Sequence, residues 1–315
     1  MRPKNRSDRP DGSTRESLVQ ASLWRKWLIL LLQLGKTKIS LLATLSAATG
    51  YLLVAGRLTT HMFVLTAAVF LLAFGSCALN QYQERRTDRL MERTRSRPIP
   101  SGRLNPGTAL FISLGLIFTG LVILLYGANE TAFFLGTFAV AWYNGVYLYL
   151  KQKTAFAAVP GALVGAIPPA LGWVSGGGTL VDGRLWAIAT FFFIWQVPHF
   201  WLLFLDFADD YERAGLPSLR KIFTPGQLRR IVFLWIMSAA VSSLSIPLFG
   251  LVNSNLALVL LLSGTLWTIW IGVDFLRTGP DGIPLKAAFT RLNAYAFIVM
   301  FLLLFDVISS AAFLP

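Results

Sequence analysis

The sequence predicts an all-α fold, a polytopic helical bundle in a membrane, on three observations. Hydrophobic residues make up 55% of the 315 positions and charged residues only 14%, where soluble domains carry about 25% charge. The apolar residues collect in nine runs, near 39–56, 61–80, 108–127, 131–149, 155–175, 185–205, 230–250, 255–275 and 292–313, and a helix needs roughly 20 such residues to cross a bilayer. The net charge of +13 lies in the short connections between the runs, the pattern that orients membrane helices. Charge placed this way argues for the lipid bilayer as partner and against nucleic acid.

Residues 1–35 read as a separate segment, a polar cytoplasmic tail leading into an interfacial helix. The tail includes Asp8, Asp11 and Glu16, whereas organelle-targeting peptides lack acids. Residues 23–34 are too few to span, and Trp24, Arg25, Lys26 and Trp27 suit a membrane surface. Residues 36–315 form one transmembrane domain. Its connections alternate: the second-to-third carries Arg85, Arg86, Arg89, Arg93, Arg95, Arg97 and Arg103, the fourth-to-fifth Lys151 and Lys153, the sixth-to-seventh Arg213, Arg220, Lys221 and Arg229, and the eighth-to-ninth Arg277 and Lys286. The connections between these hold only Arg57, Glu130, Asp182 and Arg184. The positive-inside rule then predicts a multi-pass protein of the cell (inner) membrane with the N-terminus and the basic loops in the cytoplasm. The single cysteine, Cys77, lies in an apolar run and excludes an intrachain disulfide framework.

Residues 80–103 concentrate the chemistry. Asn80, Glu84 and Asp88 recur every four residues, so on a helix an amide and two carboxylates share a face with arginines around them. Hard oxygen ligands of this kind suit Mg²⁺, which shares its shell with substrate phosphates, and arginine clamps phosphate oxygens. The other reading of the stretch is a solvated, topology-setting loop. The fifth run carries Pro160, Pro168 and Pro169 with Gly161, Gly165 and Gly172, which predicts a broken helix that either packs closely or walls a cavity. The sixth run ends in Asp206, Asp209 and Asp210 followed by Arg213. Four spans separate the two acidic regions, so both reach the same side and can face each other across a basic mouth. His199, about two turns before Asp206, is read either as a structural residue or as one with a direct chemical role; His61 is interfacial. Walker, Ser-His-Asp and Cys/His patterns are lacking, which removes hydrolase and nucleotide-driven pump readings.

These residues resemble the UbiA-type intramembrane prenyltransferases, and among them the branch that farnesylates haem. The first motif is matched by Asn80, Glu84, Asp88, Met91, Arg93, Thr94, Arg97 and Pro98, the second by Lys151 with Gly161, Gly165, Ala166, Pro168, Pro169 and Gly172. The third is matched by Trp195, Gln196, Pro198, His199 and Phe200 with Asp210, Tyr211, Ala214, Gly215 and Pro217. The likeness covers about residues 36 to 300. Glu84 stands where many members carry aspartate, Gln152 where a second base is usual, and Val146-Tyr147 where a Tyr-Thr pair is usual. Asp206 fits the wider family's second acidic pair, while the haem branch often keeps only the acid matching Asp210.

The resemblance implies about nine helices around a central cavity open to the cytoplasm. It implies Mg²⁺ held by Asn80, Glu84, Asp88, Asp206 and Asp210, and a diphosphate held by Lys36, Lys38, Arg93, Arg97, Lys151 and Arg213. Asn80, Asp88, Arg93 and His199 are then the residues expected to act in catalysis. The substrates implied are farnesyl diphosphate and haem B, with haem A synthase or cytochrome oxidase assembly downstream. Two alternatives stand beside it: transfer to an aromatic quinone precursor, and an anion transporter, which explains the basic mouth but not the paired acids.

Overall fold

The computed structural model describes residues 12–277 and 285–312; the part of the tail that holds Asp8 and Asp11 lies outside them. Helix α1 (Gly12–Leu34) is longer than the interfacial segment expected, because no proline or glycine interrupts residues 13–34. Trp24, Trp27, Leu28, Ile29 and Leu32 point outward while Leu34 is buried, and Gln81 Nε2 donates to the carbonyls of Gln33 and Leu34, 2.8 Å each.

Among the described residues nine helical segments are long and apolar enough to cross a membrane, and they follow the expected runs. They begin with α2 (Thr37–Ala55) and α3 (Thr60–Gln83), after which a short α4 (Arg85–Leu90) precedes α5 (Pro106–Gly127). The fourth span starts as α6 (Glu130–Val140), passes through a π-helical turn over Ala141–Tyr147 and ends as α7 (Leu148–Lys153). The fifth is broken around Pro160, into a 3₁₀ turn (Ala155–Ala157), α8 (Ala158–Gly161) and α9 (Leu163–Ser175), while Pro168 and Pro169, expected to break it as well, lie inside an uninterrupted α9. Then come α10 (Gly183–Asp206), a short α11 (Ala208–Arg213), α12 (Pro225–Ser243), α13 (Ser245–Leu248), α14 (Asn255–Arg277) and α15 (Leu285–Ala312). The ninth helix starts at Leu285 rather than near 292, since Lys286, Thr290 and Arg291 end an apolar run but not a helix.

Packing closes these helices into a ring. α2 packs on α3, α3 on α5, α5 on α6, α6 on α9, α9 on α10, α10 on α12, α12 on α14, α14 on α15, and α15 returns to α2. Contacts of α2 with α9 and of α10 with α15 cross the ring. The α2–α9 seam depends on glycine: a Cβ on Gly172 would stand 1.8 Å from the Ala47 carbonyl oxygen, and one on Gly50 2.0 Å from that of Pro169. Glycine lets helix backbones approach where lipid gives no hydrophobic drive for association. Near the far end of the bundle, Asp306 accepts from the backbone N–H groups of Asn253 (2.6 Å) and Ser254 (3.1 Å), so this buried acid caps the start of α14.

Candidate active site

α3 stops where the acids begin. Asn80 lies on its last turn, Glu84 closes it, and Asp88 sits on α4. The single helix expected through these three residues is therefore interrupted. The four-residue hydrogen bonding nevertheless continues, from Glu84 N–H to Asn80 O (2.9 Å) and from Asp88 N–H to Glu84 O (2.8 Å), so the three remain neighbours.

All three are buried, with exposures of 3%, 5% and 1%, and a buried charge is tolerated only when partnered. Lys151 Nζ donates to Glu84 Oε1 (2.6 Å) and Asn80 Nδ2 to Glu84 Oε2 (2.9 Å). Lys36 Nζ donates to Asn80 Oδ1 (3.1 Å), and Arg97 to Asp88 Oδ2 (2.7 Å). Burial alone would push the Glu84 carboxyl up; the ammonium groups of Lys151 and Lys36 and the Asn80 amide outweigh it and hold Glu84 below the usual carboxylate range. Burial, reinforced by the Arg97 guanidinium, brings Lys36 down to about 8. Lys36 also adopts φ 48°, the one non-glycine residue with positive φ among those described, a conformation that collects at functional sites.

The residues fit a hard divalent cation. Asn80, Glu84 and Asp88 offer oxygen donors only, and Asp88 Oδ1 is buried without a hydrogen-bond partner among the described residues, an arrangement that costs free energy unless a ligand satisfies it.

The second acidic region does something different. Asp210 accepts from the Glu92 N–H (3.2 Å) and the Arg93 N–H (3.0 Å) and from the Arg213 guanidinium. Burial raises its carboxyl, but the two backbone N–H groups and Arg213 together hold it below the ordinary range. One carboxylate thus ties the loop after α4 to α11. Asp209 pairs with Arg220. Asp206 is exposed at the end of α10 with no hydrogen bond or ion pair among the described residues. No three of the described His, Cys, Asp and Glu residues gather as a metal cluster, so the acids of the two regions do not merge. Arg93 is exposed and stacks its guanidinium on Phe207 (4.7 Å). Lys38 is exposed on the first turn of α2.

A wall of rings connects the buried pairs to His199. Tyr143, Tyr147, Phe200 and Phe204 stack in sequence at interplanar angles of 14°, 10° and 3°, and Phe204 continues to Tyr211, which lies 5.5 Å from Lys151 Nζ. His199 sits between Trp195 (5.0 Å) and Phe289 (4.9 Å), with its Nδ1 2.6 Å from Asn293 Oδ1. Sequence reasoning missed Asn293 and Asn144. Asn144, on the π-helical turn, donates to Ser76 O (3.0 Å) and Gln83 Oε1 (3.1 Å). Each is a lone amide in an apolar run, and that was the available signal.

The UbiA prenyltransferase family matches residues 41–294. Protoheme IX farnesyltransferase of Geobacter sulfurreducens is 44% identical over 230 residues, covering 72% of this chain and 83% of that protein. The protein of the same name from Sorangium cellulosum is 38% identical over 238 residues, 75% of this chain and 81% of its own length. Among solved structures, a UbiA homologue from Archaeoglobus fulgidus bound to GPP and Mg²⁺ superposes with a TM-score of 0.67 at 17% identity, over 89% of this chain and 99% of that one. A digeranylgeranylglyceryl phosphate synthase gives a TM-score of 0.70 at 18% identity, over 90% and 99%. Those two likenesses establish the shared fold. The chain is a multi-pass membrane prenyltransferase belonging to the UbiA family.

Proposed function

We propose that this chain transfers the farnesyl group of farnesyl diphosphate to a vinyl group of haem B, forming haem O. One observation carries the reading: Asn80, Glu84 and Asp88 are buried against Lys36, Lys151 and Arg97, in a chain 44% identical to a protoheme IX farnesyltransferase. The acids are the donors for Mg²⁺ and the bases the donors for a diphosphate. Asn80, Glu84 and Asp88 would hold the ion, with Asp210 and Asp206 the acids of the opposite loop.

Bound there, Mg²⁺ supplies positive charge to the diphosphate oxygens as the allylic bond breaks. Lys36, Lys151 and Arg97 neutralise the leaving diphosphate, with Arg93, Lys38 and Arg213 as the exposed bases around it. Such charge acts where negative charge develops, which is where electrostatics contribute most to rate. The allylic carbon–oxygen bond ionises, the vinyl π-electrons attack the farnesyl cation, and water adds to the resulting benzylic-type cation with loss of a proton. The stacked wall from Tyr143 to Phe204 keeps water from the farnesyl cation before the vinyl group attacks it. The basic loops that surround the acids support a mouth on the cytoplasmic side, with haem O passing on to an enzyme that oxidises or incorporates it.

Purified protein incubated with haem B, farnesyl diphosphate and Mg²⁺ is expected to yield haem O by chromatography and mass spectrometry. Transfer to hydroxybenzoate with no haem O would replace the acceptor with a quinone precursor. No transfer to either, together with diphosphate binding insensitive to EDTA, would overturn the metal-site reading itself.

A further inference from the structure

His199 is held more tightly than a packing residue requires. Trp195, one turn earlier on α10, donates its indole N–H to the Leu292 carbonyl (3.0 Å), and the next residue of α15, Asn293, meets His199 Nδ1 at 2.6 Å. Two adjacent residues of α15 thus fix one turn of α10. Trp195 and Phe289 pack against the imidazole and Phe200 lies 5.6 Å away, so the ring has little freedom to rotate.

The polarity of the hydrogen bond then decides the chemistry. An amide oxygen only accepts, so Nδ1 carries the proton and Nε2 keeps its lone pair. Nε2 makes no hydrogen bond among the described residues and is not among their fully buried unpartnered atoms. A neutral imidazole with Nδ1–H engaged and Nε2 bare is the form in which histidine binds transition metals, and the partner at Nδ1 orients the ring and raises its basicity.

We propose that His199 Nε2 is an axial ligand to the iron of the porphyrin substrate and that Asn293 is the positioning residue that sets its tautomer. The proposal rests on the reading that the acceptor is haem. His199 lies about 10 Å along α10 from Asp206, and the ring wall runs from Phe200 beside it to Tyr211 beside Lys151. Iron bound at His199 would therefore anchor the macrocycle at one end of this wall while its vinyl edge reaches toward the end where the diphosphate leaves. Ligation would serve as a fixed pivot; the iron takes no part in the bond changes.

The test uses the full chain in lipid nanodiscs with ferric haem B and, separately, metal-free protoporphyrin IX. Wild-type protein is expected to give optical and EPR spectra of nitrogen-ligated haem. His199→Ala is expected to lose them and weaken haem binding by about 10–100-fold, with metal-free porphyrin binding unchanged. His199→Gly with added imidazole is expected to recover the ligated spectrum. Asn293→Ala, which leaves the imidazole in place, is expected to perturb the same bands, and Asn293→Asp to lower the haem midpoint potential by making the ligand more basic. If wild type converts haem B yet its spectrum matches that of His199→Ala, or if metal-free porphyrin loses affinity equally, ligation is overturned and the haem reading stands. If wild type neither binds nor converts haem B, that reading falls and this proposal with it.

Discussion

Lys36 combines a left-handed backbone with an ammonium buried against Asn80 and brought down to about 8. An anion placed beside it favours the protonated form, so a diphosphate held there, as proposed, would be linked to the proton on Lys36. Below pH 8 the group is already charged; above it, the free protein has lost the proton and must regain it on binding. Farnesyl diphosphate affinity should therefore fall as pH rises past about 8, by roughly tenfold per unit for one linked proton, and Lys36→Arg should flatten that dependence in calorimetric titrations. Asp88, paired with Arg97 and carrying an unpartnered Oδ1, is the most exacting of the acids. Asp88→Ala should lower kcat by about 10²–10³ while membrane insertion, followed by immunoblot, is unchanged. Asp206→Ala should cost less than about 1 kcal/mol of activation free energy, because an exposed carboxylate with no partner contributes little. Asn80, Glu84 and Asp88 were legible as a group from their spacing. Their partners were not: Lys151 meets Glu84 across 67 residues, and no local pattern encodes such a contact.

At the scale of elements, the nine spans and the break in the fifth at Pro160 could be read from apolar runs and prolines. The π-helical turn over Ala141–Tyr147 and the interruption of α3 at Glu84 could not, because hydrophobicity reports burial and is silent on which carbonyl an N–H chooses. The π-helical turn matters here, since it carries both Asn144, bonded to Gln83, and Tyr147, stacked on Phe200. The α2–α9 seam offers a sharper test. Gly172→Ala places a methyl against the Ala47 backbone, which cannot rotate away as a side chain would. It should lower the Tm in detergent, at a cost of about 1–3 kcal/mol or more. Gly115→Ala on α5, where a Cβ meets nothing within 4 Å, should leave Tm unchanged.

For the whole molecule, the charge asymmetry of the loops predicts an orientation with the basic loops in the cytoplasm, and a single cysteine label checks it. The native Cys77 is buried, so Arg57→Cys should react with an impermeant maleimide on intact cells and Arg95→Cys only after permeabilisation. The ring of helices has a further consequence for charge traffic at its mouth. Lys36, Arg97 and Lys151 exceed Glu84 and Asp88 by a single positive charge; Arg97 and Lys151 are already paired with the two acids, and Lys36 is held on the Asn80 amide. On the proposed function, taking up a magnesium diphosphate would be an ion exchange, in which acids pass from ammonium and guanidinium to metal while the freed bases pass to phosphate. The net charge of the buried pairs changes little in that exchange, so long-range attraction falls to the exposed Arg93, Lys38 and Arg213. The KM for the prenyl donor should accordingly rise with ionic strength, and neutralising Arg93 and Arg213 should flatten that rise.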